Sequence, residues 1–456
     1  MRPTAVISYL WDKHLGALDE FLAQFPVDTV IAPRAYCYER LEQIAAARGC
    51  AVVVLEELLP PGYARDREAR KVLGALRAQI RGSDWSSSGV IGEGDVDTVR
   101  RIVRQRVGAE VPPAVELLDA LNAAWTAHDI RLFVTTEDVI PLSKTAAAWA
   151  RKRQVPSLHV AHSLALVDPY TVHAHLLTDV LAVYGPRGAE GYLDLGIDPA
   201  RIVATGNPAW DDYASMRQDR DALRTQLLAK HGLEHDLPVV VFGTTWSAHL
   251  TALDTGDAHR RALAAFVAAC ADLDRRGVRF SAVVKDRPSN SDVGEEALAS
   301  ILAESGARAR VVHTSEDGPQ WAVAADVLVA VDSNYLVEAM LCGTPAVNLA
   351  GTAMLPMPPA FDGAAGVVEA DPGTLAVRLR ELIEDPDLRD RQLARFARRL
   401  EHYHVGGADG RAAHRVAAQM VRLAQTRPAR RSLRQRLRQR LRHTRDVVVA
   451  KIGKER

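Results

Sequence analysis

The run Val329-Ala330-Val331-Asp332-Ser333-Asn334-Tyr335-Leu336-Val337-Glu338 joins a β-branched strand pattern to a helical one through three polar residues. Ser333 and Asn334 fall at the helix N-terminus, where free backbone N–H groups and the helix dipole favour a phosphate. Glu338 lies one turn further on, where a carboxylate can accept hydrogen bonds from a ribose or sugar hydroxyl, and Asp332 closes the strand ahead of them. An ordinary N-cap at Ser333 with Glu338 in solvent would give the same pattern. Two other strand ends should converge on that crevice. Gly243-Thr244-Thr245-Trp246 follows the apolar run Val239–Phe242 and offers a close backbone approach, two hydroxyls and an aromatic face. Lys285-Asp286-Arg287-Pro288 follows Phe280–Val284 and sets two cations at a strand terminus. Only 8 of the 57 basic residues are lysines, so Lys285 is the more telling of the two. A Lys/Arg pair beside a helix N-terminus suits a diphosphate leaving group, on which negative charge builds as the donor bond breaks. A surface salt bridge is the plain alternative. Earlier in the chain, Phe133-Val134-Thr135-Thr136 runs into Glu137 and Asp138, and Leu158-His159-Val160-Ala161 runs into His162. A strand-end histidine beside a cleft can act as general base, and a neighbouring carboxylate can orient or replace it. His159, three residues earlier, should face away or be buried.

These residues need strands that end together. Short β-branched runs alternate with helical stretches: Val6–Tyr9, Val27–Ala32, Ala51–Leu55, Arg131–Thr135, Ser157–Val160, Val180–Val183 and Ile202–Ala204 in the first half. A second series follows at Val239–Phe242, Phe280–Lys285, Ala309–His313, Val327–Val331, Ala346–Leu349 and Gly366–Val368. The rhythm predicts an α/β chain of two doubly wound parallel sheets, with strand ends facing across a cleft that holds a ligand. Gly82–Asp97 reads as a loop or excursion, Pro113–His128 as a helix, and the charged stretch Met216–His231 as the connection between the halves. The expected division is 1–212, 213–405, a closing helix at 406–426 returning toward the first half, and a basic tail at 427–456.

A chain of 456 residues is too long for one ordinary core, and its 48% apolar content excludes intrinsic disorder. Its 57 basic and 57 acidic side chains cancel, but segment 427–456 carries 12 Lys/Arg against 2 Asp/Glu, leaving 45 against 55 in the body. An acidic body argues against a nucleic-acid-binding core, so no nucleic-acid partner is expected. In the tail, Leu433, Leu437 and Leu441 form one narrow apolar stripe among arginines, the pattern of an amphipathic helix lying on an anionic membrane surface. A solvated tail fits the same composition. The 4 cysteines are far apart and read as buried hydrophobes in a reducing compartment. With no spanning segment or secretion signal, the expectation is a cytoplasmic protein, peripheral on the inner membrane face through its tail.

Three stretches, Thr135–Ser163, Val203–Asp211 (Thr-Gly-Asn-Pro then Asp) and Ala325–Val347, resemble the GT-B superfamily of nucleotide-sugar-dependent transferases, as does the closing Tyr403-His404-Val405-Gly406-Gly407-Ala408-Asp409-Gly410-Arg411 with its following helix. The likeness is to polysaccharide- and teichoic-acid-type transferases and to non-hydrolysing UDP-N-acetylglucosamine 2-epimerases. It implies two Rossmann-like domains, the first for a hydroxyl acceptor (including one attached to a lipid) and the second for a nucleotide-sugar donor. The reaction it implies needs no metal and no cofactor beyond the activated sugar. His162, Glu137 and Asp138 would be catalytic; Gly243, Thr244, Thr245, Trp246, Lys285, Arg287, Asp332, Ser333, Asn334 and Glu338 would hold the donor. The glycerophosphotransferases show His-Gly and Lys-Pro-His where this chain has His162-Ser163 and Lys285-Asp286-Arg287-Pro288, which favours a sugar nucleotide over CDP-glycerol. The epimerases carry an Arg-Pro-Glu segment in the region of Met354–Pro359, which here lacks those charges. The leading expectation is a glycosyltransferase of surface polysaccharide or glycoconjugate synthesis. The alternatives are a 2-epimerase, a glycerophosphotransferase, or an inactive scaffold of the same fold.

Overall fold

The computed structural model describes residues 2–83, 95–137, 140–164, 175–244, 256–287, 294–305, 310–352 and 366–426. The tail at 427–456, Asp138, Thr245, Trp246 and the Met354–Pro359 stretch lie outside them. Seven strands form the first sheet: β1 Thr4–Tyr9, β2 Thr29–Ala32, β3 Ala51–Val54, β4 Asp129–Thr135, β5 Ser157–Val160, β6 Val180–Val183 and β7 Ile202–Ala204. Six form the second: β8 Val239–Gly243, β9 Ser281–Lys285, β10 Val311–Thr314, β11 Val327–Ala330, β12 Ala346–Leu349 and β13 Val368–Ala370. All the pairings are parallel. The orders are β3-β2-β1-β4-β5-β6-β7 and β10-β9-β8-β11-β12-β13, the same doubly wound winding twice. Strand order reverses between β1 and β4 and between β8 and β11, and a crevice opens beyond the carboxyl ends at such a reversal.

Helices on both faces explain why the strands read as near-continuous apolar runs. Val6, Leu132, Val134, Leu158 and Val160 pack on one face of the first sheet with Leu18 and Phe21. Ala5, Ile7, Ile130 and Phe133 pack on the other with Ala120, Leu121 and Ala124 of the helix Val96–Ala127. In the second sheet Val240, Phe242, Ala282 and Val284 meet Phe266 and Leu273.

Two sequence expectations are corrected. The helix expected over Pro113–His128 is longer: the 32-residue Val96–Ala127 runs through Pro112 and Pro113 rather than starting there, it is preceded by a helix at Arg65–Gly82, and residues 84–94 of the Gly82–Asp97 excursion lie outside the described residues. A proline inside a helix removes a hydrogen bond and crowds the preceding turn, and packing of the following turns through Ala120, Leu121 and Ala124 offsets that loss. The last strand begins at Val368, because Gly366 takes φ +86°, a left-handed conformation outside any strand.

The final described helix, Ala412–Gln425, belongs to the first sheet's core, with Val416, Ala417 and Met420 packed among Leu18, Phe21 and Leu158. Asp211 caps it from 201 positions away: its carboxylate accepts the Ala412 and Ala413 N–H groups at 2.8 and 2.7 Å. Beside this clasp His404 Nε2 accepts the Asn207 N–H at 2.8 Å, so Nδ1 carries the proton it donates to the Gly407 carbonyl at 2.8 Å. Gly206 (φ +79°) passes so close that a Cβ there would lie 2.9 Å from the His404 ring and from the Ala412 methyl. Arg415 ties the same corner by donating to the Thr205 and Val405 carbonyls at 2.7 and 2.9 Å. Two of the segments that carried part of the resemblance, Val203–Asp211 and Tyr403–Arg411, are thus a structural clasp.

Candidate functional site

In the first sheet the site grows from the β1/β4 reversal. Thr136 stitches the two strand ends, its hydroxyl donating to the Tyr9 carbonyl at 3.1 Å while its Oγ1 accepts the Trp11 N–H at 3.3 Å. The Thr136 carbonyl in turn accepts a hydrogen bond from His162 Nδ1 at 2.8 Å. A carbonyl can only accept, so Nδ1 bears the proton and Nε2 carries the ring's lone pair. The Trp11 indole lies 4.7 Å from the imidazole, centroid to centroid, and Lys13 Nζ lies 5.5 Å from the Trp11 ring. Glu137 follows in a turn in which Thr135 Oγ1 donates to its carbonyl at 2.6 Å, and its carboxylate is within electrostatic reach of Tyr36. His159 is 2% exposed, as its alternation with the cleft-facing positions requires.

In the second sheet the β8, β9 and β10 ends meet around one carboxylate. Asp286 Oδ1 accepts the Thr244 hydroxyl at 2.7 Å and the Arg287 N–H at 2.8 Å, and Oδ2 lies 3.4 Å from His313 Nε2. Thr244 therefore fixes the cationic turn rather than presenting its hydroxyl outward. Lys285 is 9% exposed and donates to the carbonyls of Asp286 and, at 3.2 Å, Ser315. Burial pulls its ammonium below the ordinary lysine range, opposed by Asp286 and Glu338. Gly243 makes room for an aromatic ring: a Cβ there would lie 2.4 Å from Tyr335 Cδ1. The ring is held from its far end, Tyr335 Oη donating to the Gly318 carbonyl at 2.7 Å.

The helix Tyr335–Cys342 modifies the expectation of free donors at its start. Ser333 Oγ accepts the Tyr335 N–H at 3.2 Å, the Ser333 carbonyl accepts that of Leu336 at 3.0 Å, and the Asn334 carbonyl accepts that of Val337 at 2.9 Å. What this helix offers an anion is its positive end more than its own first amides. Asp332 turns with φ +41° and exchanges hydrogen bonds with Asn348 of β12, its N–H donating at 2.9 Å and its Oδ1 accepting at 2.9 Å. It shapes the strand-to-helix turn, and burial raises its carboxyl. Asn334 Oδ1 accepts the Leu164 N–H at 3.1 Å, so this helix start is bonded directly to the segment that follows His162.

Glu338 is neither solvated nor idle. It accepts a hydrogen bond from Tyr213 Oη, and burial raises its carboxyl against the opposing pull of Tyr213, Lys13 and Lys285. Lys13 is itself depressed by burial, raised by Glu338 and lowered again by Arg287. Lys13 from the first sheet and Lys285, Arg287 and Glu338 from the second thus share one electrostatic neighbourhood, in which Asp286 also acts on Lys285 and Arg287. Sequence reasoning missed Trp11, Lys13 and Tyr213. The first two had a signal, since they follow the first strand of a doubly wound sheet, where the crevice must open, and Lys13 is one of 8 lysines. Tyr213 had none. Among the described residues, no group of three or more His, Cys, Asp or Glu is placed to hold a metal ion, and no helix is long and apolar enough to cross a membrane.

No protein-family model and no curated protein matches the chain in sequence. Solved structures do match its fold. The UDP-GlcNAc 2-epimerase of Neisseria meningitidis, bound to UDP-GlcNAc, is similar at 12% identity over 91% of this chain and 99% of that one, with a TM-score of 0.54. A second UDP-N-acetylglucosamine 2-epimerase aligns at 13% identity over 92% and 95%, TM-score 0.54. A glycosyltransferase from Rickettsia africae aligns at 9% identity over 93% and 99%, TM-score 0.53. At such identities the likeness establishes a shared fold across most of the chain. Enzymes of both kinds are built on it.

Proposed function

We propose that this chain is a glycosyltransferase that moves a sugar from a nucleotide-activated donor to a hydroxyl acceptor, in the synthesis of a surface polysaccharide or glycoconjugate. The observation that carries the reading is the convergence of Lys13, Lys285 and Arg287 with Glu338 at the two strand-order reversals, beside His162. Cations gathered at the mouth of a helix suit a nucleoside diphosphate. Lys285, whose hydrogen bonds among the described residues go to carbonyls, gains a charged partner when the diphosphate arrives, which opposes the burial that pulls its ammonium down. As the sugar–phosphate bond breaks, Lys285, Arg287 and the positive end of the helix Tyr335–Cys342 stabilise the departing oxygen. His162 Nε2 takes the acceptor's hydroxyl proton while Thr136 holds the ring through Nδ1. Glu338 accepts from a hydroxyl of the donor, sharing its carboxylate with Tyr213. The first half would then serve the acceptor and the second the donor, and no bound metal has a part in these steps.

The test is a thermal-shift panel of UDP, CDP, GDP, dTDP, ADP and CMP. A nucleotide at 100 times its Kd stabilises its site by about 2.7 kcal/mol, a rise of roughly a few degrees. A selective rise that Lys285→Ala abolishes is expected. No rise with any nucleotide would reject the reading in favour of a non-catalytic module. Conversion of the nucleotide sugar with no acceptor present would replace the transferase by an epimerase.

A further inference from the structure

Beside the proposed catalytic histidine, with Trp11 in its wall, the first sheet holds a cavity of about 410 Å³ at the carboxyl ends of β1, β2 and β3. That is within the range of small-molecule sites. Its walls are Tyr9, Tyr36, Leu55, Leu117 and Ala120, with Trp11 shared between it and His162. Tyr9 and Tyr36 stand 5.2 Å apart at 43°, so they form an angled aromatic wall rather than a closed stack. At its lip Ile140 and Leu142 are 41% and 36% exposed, two of the few large apolar side chains on the described surface.

The polar groups of the cavity are few, and most are spoken for. Glu56 accepts the Arg34 N–H at 2.9 Å, and Glu116 lies 3.8 Å from Arg65. The exceptions are Tyr9, 3% exposed, and Ser143, 0% exposed, whose Oη and Oγ have no hydrogen-bond partner among the described residues. A buried hydroxyl without a partner is costly, and a ligand oxygen would satisfy it.

We infer that this cavity takes the apolar portion of the acceptor, a hydrophobic ring or chain carrying one oxygen for Tyr9 Oη, and orients the reacting hydroxyl past Trp11 toward His162. The assignment rests on the transferase reading for the word acceptor, and on the cavity alone for its chemistry. A sugar or phosphate would find its hydroxyls or charges largely unmatched against Leu55, Leu117 and Ala120. A flat or extended hydrocarbon would bury its surface against them.

Titration calorimetry on the full chain tests this with 1-naphthol as ring probe, 1-octanol as chain probe and glucose as polar control. Binding of 1-naphthol or 1-octanol, without glucose, is expected, and which of the two binds more tightly tells a ring from a chain. Ala35→Trp, from an exposed position beside the mouth, and Leu142→Glu, at the lip, should each weaken that binding by about tenfold or more. Both variants should keep the melting temperature and the nucleotide response of the parent. Tyr9→Phe should leave 1-octane-like contacts intact but weaken both hydroxylated probes. Retained nucleotide response with no probe bound, or glucose bound in preference, would overturn the cavity assignment alone. Probe binding with no nucleotide response would overturn the transferase reading and leave an apolar site standing.

Discussion

At the residue scale the site depends on shape as much as on charge. Gly243 was expected to let a ligand approach the backbone; its missing Cβ instead admits the Tyr335 ring, whose hydroxyl is anchored on Gly318. Gly243→Ala should therefore displace the first residue of the helix Tyr335–Cys342, costing about 1–3 kcal/mol through overpacking and weakening the nucleotide response. Adding Tyr335→Ala should recover much of the lost stability, so the two substitutions would be less than additive in thermal melts. Strict additivity would show that ring and backbone do not compete for that space. The residue types at the second-sheet strand ends were legible in the sequence, because Gly-Thr, Lys-Asp-Arg and Asp-Ser-Asn each follow an apolar run. Their partners were not. That Thr244 serves Asp286, that Asp332 serves Asn348 and that Glu338 meets Tyr213 are facts of long-range packing, which no spacing rule contains.

At the element scale the strands were legible and the start of the long helix was not. Two sheets of buried parallel strands announce themselves as apolar runs separated by helical stretches. The helix Val96–Ala127 defied reading because its two prolines imitate a start signal. The closing helix shows how an element can depend on one distant side chain. Asp211 supplies both acceptors for its first amides, though burial raises the Asp211 carboxyl. Asp211→Ala should cost about 1–2 kcal/mol, the range for a lost N-cap, and lower the melting temperature by roughly a few degrees. Asp211→Asn, keeping one acceptor, should fall between. An unchanged melt for Asp211→Ala would mean that packing of Val416 and Met420 alone holds the helix.

For the whole molecule, acid should act through the clasp. Burial pushes His404 from 6.5 down to about 4, and both ring nitrogens are committed in the neutral form. Between those values an unfolded chain takes up a proton that the folded ring refuses. Stability is thus untouched above about pH 6.5 and declines as pH falls toward 4, by about 3 kcal/mol for this group. His404→Gln should show a shallower fall than the parent in melts between pH 7 and pH 4, on the order of that difference; parallel curves would exclude the mechanism. The segment 427–456 poses a separate question of where the molecule sits. Its arginine-rich sequence, with leucines spaced four apart, carries the expectation of reversible, salt-sensitive contact with anionic lipid. Flotation with anionic vesicles should recover the full chain and not a 1–426 truncation. Equal recovery would reject membrane contact through the tail.

The placement of Val416, Ala417 and Met420 in the core of the first sheet also sets an order of events during synthesis. The seven strands of that sheet leave the ribosome long before the helix that covers one face of it. Translation at about 5–20 residues per second leaves the apolar face over Leu18, Phe21 and Leu158 waiting for tens of seconds, with the whole second sheet made in between. The half that emerges first is therefore the half completed last. For that interval the nascent chain presents a hydrophobic groove, which a chaperone would have to shield and which a translation product stopping short of Ala412 would never close.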